Sequence, residues 1–467
     1  MEDLPSETET AVAEPQPGAE TAPTPWPAQW IPADGDHPAR LGGLDVRSLA
    51  GEYGTPLFAL DLADLRDRMD AWATAASEHF APDRGLAGAD VYYASKAFTC
   101  ISMIRLAVER GLCADVASGG ELAVALAGGM DPARIGVHGN NKSDDEIAAA
   151  LNAGVGRIVV DSFDELEVLS AAAVQRGVVA PVFVRVTTGV HAGANEFIAT
   201  AHEDQKFGLT LADGSALEAA RLAVGLPGTQ LAGLHQHIGS QISDLEGHAV
   251  STRALLSLRA EIARETGRLV PDVDLGGGYG ITYVDEPTLS PDAVCARMAG
   301  VVRAACEVLG TPPPRISFEP GRNIVGPAMV ALYTVGAIKR VTVADGERWY
   351  VAVDAGMSDT VLRPMLYGAV YTADVASRQI GGPTMRSRLV GKHCESGDIL
   401  IRDLALPEGL RRGDLIAVPA AGAYGRSMSS NYNMLTRAPV VAVEHGEATV
   451  WIRRETIEDL LRTDAAL

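Results

Sequence analysis

Five short stretches of this 467-residue chain set chemically capable side chains directly after apolar runs. They are Ser95-Lys96, His138-Gly139-Asn140-Asn141, His235-Gln236-His237-Ile238-Gly239-Ser240, Gly276-Gly277-Gly278 and Glu319-Pro320-Gly321-Arg322. Lysine is the side chain that forms Schiff bases, and partial desolvation favours its neutral, nucleophilic amine. Alone, Lys96 would read as a solvated strand end, so its meaning depends on its company. The glycine run leaves backbone N–H groups uncovered and permits close approach, as an anion-binding loop requires. Alone it is a turn. With Ser240 and Gly321 at neighbouring strand ends, however, the loops could converge on one phosphate. No Walker or GxGxxG pattern is present, so a nucleotide is not its expected owner.

A lysine, a phosphate site, a flat His237 able to stack and a carboxylate at Glu319 together describe a pocket for pyridoxal 5'-phosphate. A lone histidine is as readily a structural hydrogen-bonder. Metal binding by His235 and His237 competes, but only one of the two is expected to point inward, and no metal is assigned.

Such residues need a scaffold that brings strand ends together. Candidate strands fall at 90–94, 112–116, 134–138, 157–160, 182–186, 231–235, 272–275 and 315–319, with amphipathic stretches such as TCISMIRLAVERG and SDDEIAAALNAG between them. The second of these opens with the capping-box pair Ser143/Glu146. Eight strands with intervening helices over about 230 residues predict an α/β fold, a (β/α)8 TIM-type barrel whose chemistry sits at the C-terminal strand ends. Beyond residue 326 the chain becomes strand-rich, with Asp345-Gly346 marking a hairpin, so a C-terminal β-rich domain is expected. Residues 1–40 hold 8 of the 26 prolines and eight acids against one base, Arg40. That composition predicts a disordered tail. The expected division is a tail over 1–40, a lead-in segment over 41–89, the barrel over 90–325 and the β-rich domain over 326–467.

With 39 Lys plus Arg against 60 Asp plus Glu, the net charge is −21, which argues against a general nucleic-acid or anionic-membrane binder. The start MEDLPSETET lacks the basic and apolar regions of a secretion signal, and no later run reaches the roughly 18 apolar residues of a membrane span. A cytoplasmic protein is expected. Five cysteines without CxxC spacing indicate neither a disulfide framework nor a cysteine metal cluster.

The segments YYASKAF, CADVASGGEL, HGNNKS, HEDQKFG, GLHQHIGSQ, DLGGGYGI, FEPGR, GKHCESGD and GAYGRSMSSNYN, in this order, closely resemble the diaminopimelate decarboxylases, fold-type III pyridoxal phosphate enzymes of the alanine racemase-like group. The resemblance spans roughly residues 40 to 460. It implies that Lys96 carries the cofactor as a Schiff base and that His237 stacks on its ring. It implies that Ser240, Gly277, Gly278, Glu319, Pro320, Gly321 and Arg322 hold phosphate and ring, with Tyr424 also touching the cofactor. Arg322, Arg363, Tyr367, Glu395 and Tyr424 would bind an amino acid substrate. Cys394 would donate the proton, contributed by the partner subunit of a homodimer with shared active sites. One departure lies in DAGMSDTVLRPMLYGA, where Val361 and Leu362 put one more residue between Asp359 and Arg363 than the family usually has, and Ala355 replaces a glycine.

The activity so implied is decarboxylation of meso-2,6-diaminopimelate to L-lysine and carbon dioxide, the last step of lysine biosynthesis. Racemases on this fold place an arginine near the ring nitrogen, so the acid at 319 favours the decarboxylase branch. Cys394, between His393 and Glu395 in a polar loop, is poorly placed for a core residue. Two alternatives are a decarboxylase acting on ornithine, arginine or carboxynorspermidine, and a noncatalytic pyridoxal phosphate carrier.

Overall fold

A computed structural model describes residues 24–190, 206–359 and 368–466. The first long strand is β1 (Leu57–Asp61), buried along its whole length. Eight further strands form the barrel: β2 (Ala89–Ala94), β3 (Cys113–Val116), β4 (Ile135–Val137), β5 (Arg157–Val160), β6 (Ala180–Thr187), β7 (Thr229–His235), β8 (Asp272–Asp274) and β9 (Arg315–Phe318). All neighbours are parallel, and β9 pairs with β2 to close the ring. Each expected strand is present with its ends shifted by at most a few residues. β-Branched and apolar runs buried on both faces announce parallel strands clearly.

Helices alternate with the strands, and serine caps fix where they start. Ser118, Ser143 and Ser162 each accept the N–H of a glutamate three residues on, a contact worth about 1 kcal/mol per helix. At Ser143 the full reciprocal box forms. Glu146 also takes the N–H of Gly119 at 2.9 Å, tying one βα turn to the next. The helix Leu62–His79 precedes β2 and packs against the helix Pro291–Leu309 and against β2. It closes the helical ring.

The second sheet runs β13–β12–β11–β10–β1–β15–β16, with β10 (Met329–Val343), β11 (Gly346–Val353), β12 (Thr384–Val390), β13 (Ile399–Pro407), β15 (Val440–Glu444) and β16 (Glu447–Ile452); β14 (Leu415–Val418) pairs with β10. The expected hairpin at Asp345-Gly346 joins β10 to β11. β1 lies near the centre of this sheet, antiparallel to β10 and parallel to β15. Part of the stretch expected only to lead into the barrel therefore belongs to the β-rich half.

The expectation of a disordered tail over residues 1–40 is corrected for residues 24–40. Trp26 and Trp30 stack with centroids 4.8 Å apart and pack on a cluster that includes Leu41, Leu57 and Val330. The Gln29 N–H donates to Asp61 Oδ2 at 2.8 Å, and Ala39 N–H to Ala376 O at 2.8 Å. Two aromatic anchors and these bonds offset the ordering entropy that average composition suggests is unaffordable. Residues 1–23 lie outside the described residues.

Candidate active site

A cavity of about 720 Å³ opens at the C-terminal ends of the barrel strands, the mouth where this architecture carries its chemistry. Its lining includes Lys96, His237, Ser240, Gly278, Glu319, Pro320, Gly321, Arg322 and Tyr424. These were all expected at one site, and the fold gathers them there.

Beneath the cavity Arg157 closes the barrel interior. Its Nη1 donates to Asp274 Oδ2 at 2.8 Å and to Ser317 Oγ at 3.0 Å. The guanidinium lies 3.9 Å from the Tyr92 ring centroid and 4.3 Å from that of Phe183. Above it, Glu319 is flanked by two histidines: His235 Nε2 is 2.9 Å and His138 Nε2 3.5 Å from Glu319 Oε1, and His138 Nε2 is 3.0 Å from Asp115 Oδ1. Burial pushes the Glu319 carboxyl up to about 7, with the Asp115 charge adding and His138 and Lys96 opposing. Burial likewise depresses His138 to about 4 and holds His235 well below the usual histidine range.

Lys96 sits on a single turn, Ser95–Ala97, that ends β2. The turn is tied to two elements. Ala94 N–H donates to Pro320 O at 3.3 Å, and Ala97 O accepts Tyr424 N–H at 2.7 Å and Ser427 Oγ at 2.8 Å. The second pair comes from the β-rich half, whose loop thereby braces the turn that presents the exposed lysine.

His237 accepts the Gly277 N–H on Nδ1 at 3.2 Å. Burial, reinforced by Lys96, depresses its pKa strongly. The ring is therefore neutral with its proton on Nε2. Gly277 does not line the cavity; it stands behind His237. A Cβ on Gly277 would run into the Glu319 carbonyl, and one on Gly278 into the Gly239 carbonyl, where φ is also +96°. Only glycine lets these loops meet. Arg322 donates to Ser240 Oγ at 2.8 Å and to the Tyr283 hydroxyl at 2.5 Å.

Both His235 and His237 line the cavity, which corrects the expectation that only one points inward: strand alternation puts residues two apart on the same face, and His237 lies beyond the end of β7, where the loop turns it over the mouth. Among the described residues, His138, His235 and Glu319 bring three donor atoms within 4.8 Å of one another. Glu319 Oε1 and Asp115 Oδ1 meet only the histidine nitrogens, without good alignment, and Asp115 Oδ2 has no aligned partner among these residues, so the floor of the cavity keeps spare acceptor capacity. A pyridine nitrogen fits that position, with Lys96, the His237 face and the Ser240–glycine cradle around the same space. The residues fit pyridoxal 5'-phosphate.

Cys394 and Glu395 are not in the lining; both are exposed on a loop of the β-rich half. Arg363, Tyr367 and most of HEDQKFG lie outside the described residues. Sequence reasoning gave no role to His138, Asp115, Arg185 or Tyr283, all of which line the cavity. The available signal was a charged residue inside a buried strand, for Asp115 and Arg185, and the strand-end position, for His138.

Residues 62–326 match the family model described as "Pyridoxal-dependent decarboxylase, pyridoxal binding domain". The chain is 47% identical over 427 residues to the diaminopimelate decarboxylase of Mycobacterium tuberculosis, covering 90% of this chain and 93% of that one. It is 42% identical over 426 residues to that of Bacillus subtilis, covering 91% and 94%. Among solved structures, the diaminopimelate decarboxylase of M. jannaschii aligns with a TM-score of 0.85 at 29% identity, over 93% of this chain and 97% of that one. The Helicobacter pylori enzyme complexed with L-lysine aligns with a TM-score of 0.80 at 30% identity, over 90% and 100%. A lysine, a buried acid and a glycine cradle at one barrel mouth thus agree with similarity along nearly the whole length, and the chain belongs to the diaminopimelate decarboxylases, a family of pyridoxal-dependent decarboxylases.

Proposed function

We propose that the chain converts meso-2,6-diaminopimelate to L-lysine and carbon dioxide, the last step of lysine biosynthesis, with pyridoxal 5'-phosphate held on Lys96. The observation that carries this is the single cavity joining Lys96 to Glu319, His237, Ser240 and Arg322. When bound, the cofactor supplies an electron sink for the pair left behind by departing carbon dioxide.

The chain's residues do the rest. Lys96 offers the amine, and the Ala97 contacts with Tyr424 and Ser427 fix its turn. Glu319 holds a proton at the ring nitrogen from within a buried setting. His237 presents a neutral flat face. Ser240, Gly278 and the Pro320–Gly321 turn bind the phosphate end, Gly277 acting from behind through its N–H to His237, with Arg322 aligned by Ser240 and Tyr283. Arg322, Tyr424, Arg363, Tyr367 and Glu395 recognise the substrate, whose distal ammonium and carboxylate need an anion and a cation.

Cys394 returns the proton from the partner subunit of a homodimer. In support, Cys394 and Glu395 are exposed, and the Cys394 N–H donates to Asn433, which lies between Tyr432 and Met434, large side chains that are 43% and 58% exposed. In this arrangement residues 90–325 bind the cofactor and 326–467 complete the site. The protein works in the cytoplasm on a small amino acid; no described helix is long and apolar enough to cross a membrane.

Release of carbon dioxide from meso-diaminopimelate, beside ornithine and arginine, tests the reading. Release from ornithine or arginine at comparable kcat/KM would overturn the substrate assignment. Borohydride reduction of the holoenzyme and peptide mapping should label Lys96; label on another lysine would overturn that role.

A further inference from the structure

The loop Gly391–Asp398 carries Cys394 and Glu395 outward, while its buried side converges on one carboxylate. Asp398 is 4% exposed. Its Oδ1 accepts the Met357 N–H at 2.6 Å. Its Oδ2 accepts the His393 N–H at 2.8 Å and lies 3.0 Å from His393 Nδ1. A Cβ on Gly356 or on Gly391 would run into this carboxylate, so both chain segments are pressed against it. The His393 ring, itself buried, stacks on Tyr432 at 5.8 Å with an interplanar angle of 10°. The next residue, Asn433, turns at φ 55° and accepts the Cys394 N–H on its Oδ1 at 2.9 Å. Cys394 is gripped on both sides: the ring before it by Asp398 and Tyr432, its own amide by Asn433.

We propose that Asp398 is a positioning residue that, through His393, sets the direction in which Cys394 projects from the β-rich half. This rests on the reading of Cys394 as proton donor. A donor on a loop with the composition Cys-Glu-Ser-Gly would sample many directions if only its ends were held. Proton transfer needs hydrogen-bond reach, and a displacement of about 1 Å can cost about 10²-fold in rate. A buried carboxylate with three donors, two of them on the residue before the cysteine, removes that freedom without touching substrate.

Asp398→Asn separates this role from a general one. The amide oxygen can still accept from Met357, but the NH2 group would face the two His393 donors, so the hold on His393 is released while the rest of the loop keeps its anchor. The Asp398→Asn holoenzyme should keep its visible cofactor band and its cooperative unfolding while kcat falls about 10²-fold. In a Cys394→Ala background the same change should cost no more than about twofold, because two changes acting through one group do not multiply. A full second loss in that background, or no loss in the wild-type background, would overturn the proposal. Should Asp398→Asn fail to fold, His393→Phe keeps the stacking on Tyr432 and removes the ring donor; its loss should likewise vanish without Cys394, and persistence of that loss would count against the proposal. If Cys394→Ala keeps the full rate, the donor reading itself fails and takes this one with it. An impaired Cys394→Ala beside an unimpaired Asp398→Asn overturns the positioning role alone.

Discussion

Glu319 has its protonation decided by its neighbours: burial and Asp115 raise its pKa to about 7, while His138, Lys96 and Arg185 pull the other way. Its folded-state value lies above the ordinary 4.5, so the folded apoprotein binds this proton more tightly than the unfolded chain does. Stability from this group is therefore lost as pH rises from about 4.5 to about 7. Glu319→Gln should flatten the fall in apoprotein melting temperature over that window; an unchanged slope would assign the fall to Asp274 and Asp359, whose burial raises them to about 6 and about 7. In the holoenzyme, removing the charge should lower kcat by about 10² while cofactor is retained, the usual scale for one electrostatic contact at developing charge. Steady-state kinetics at saturating cofactor checks this. The placement of Lys96, His237, Ser240, Glu319 and Arg322 around one cavity was legible in the sequence because each lies within a few residues of the end of an apolar strand. His138 stood among the strand-end residues and Asp115 did not, but the role of neither was legible, since it arises only when separate strand ends bring both toward Glu319.

At the scale of elements, the site depends on a contact between the two halves. Ala97 O, beside Lys96, accepts from Tyr424 and Ser427 on the loop after β14. Ser427→Ala removes one of these bonds, worth about 1 kcal/mol, and, because the freed turn must then be ordered when the cofactor binds, should weaken cofactor affinity by up to about fivefold. Equilibrium titration with pyridoxal 5'-phosphate measures it; unchanged affinity would mean that Tyr424 N–H alone holds the turn. The barrel strands were readable as short β-branched runs between capped helices. β1 was not, although LFALD is as apolar as they are. A strand shows itself through local pattern, but its partners Met329–Leu332 and Val440–Val443 lie far along the chain, and no local feature names them. The stacked pair Trp26 and Trp30 was hidden in the same way by the prolines and acids around it.

For the whole molecule, the proposed role of Cys394, exposed and outside its own chain's cavity lining, entails shared sites in a symmetric dimer. If Lys96 and Cys394 serve one site from different subunits, a mixed dimer of Lys96→Ala and Cys394→Ala gathers both defects in one site and leaves the other intact. Random exchange makes about half the dimers mixed, so about a quarter of wild-type activity should return. Activity assayed after mass spectrometry has verified exchange decides the matter; no recovery would place both groups in one subunit's pocket. The central position of β1 also bears on how the molecule is made. Synthesis delivers this wholly buried strand before the barrel, yet its two neighbours in the sheet emerge only after the barrel is complete. Throughout elongation, then, the nascent chain carries a segment with two open edges, the kind that invites association with other chains. A message broken after the barrel would yield a product with this strand permanently unpaired, so incomplete copies carry a built-in mark for aggregation or removal.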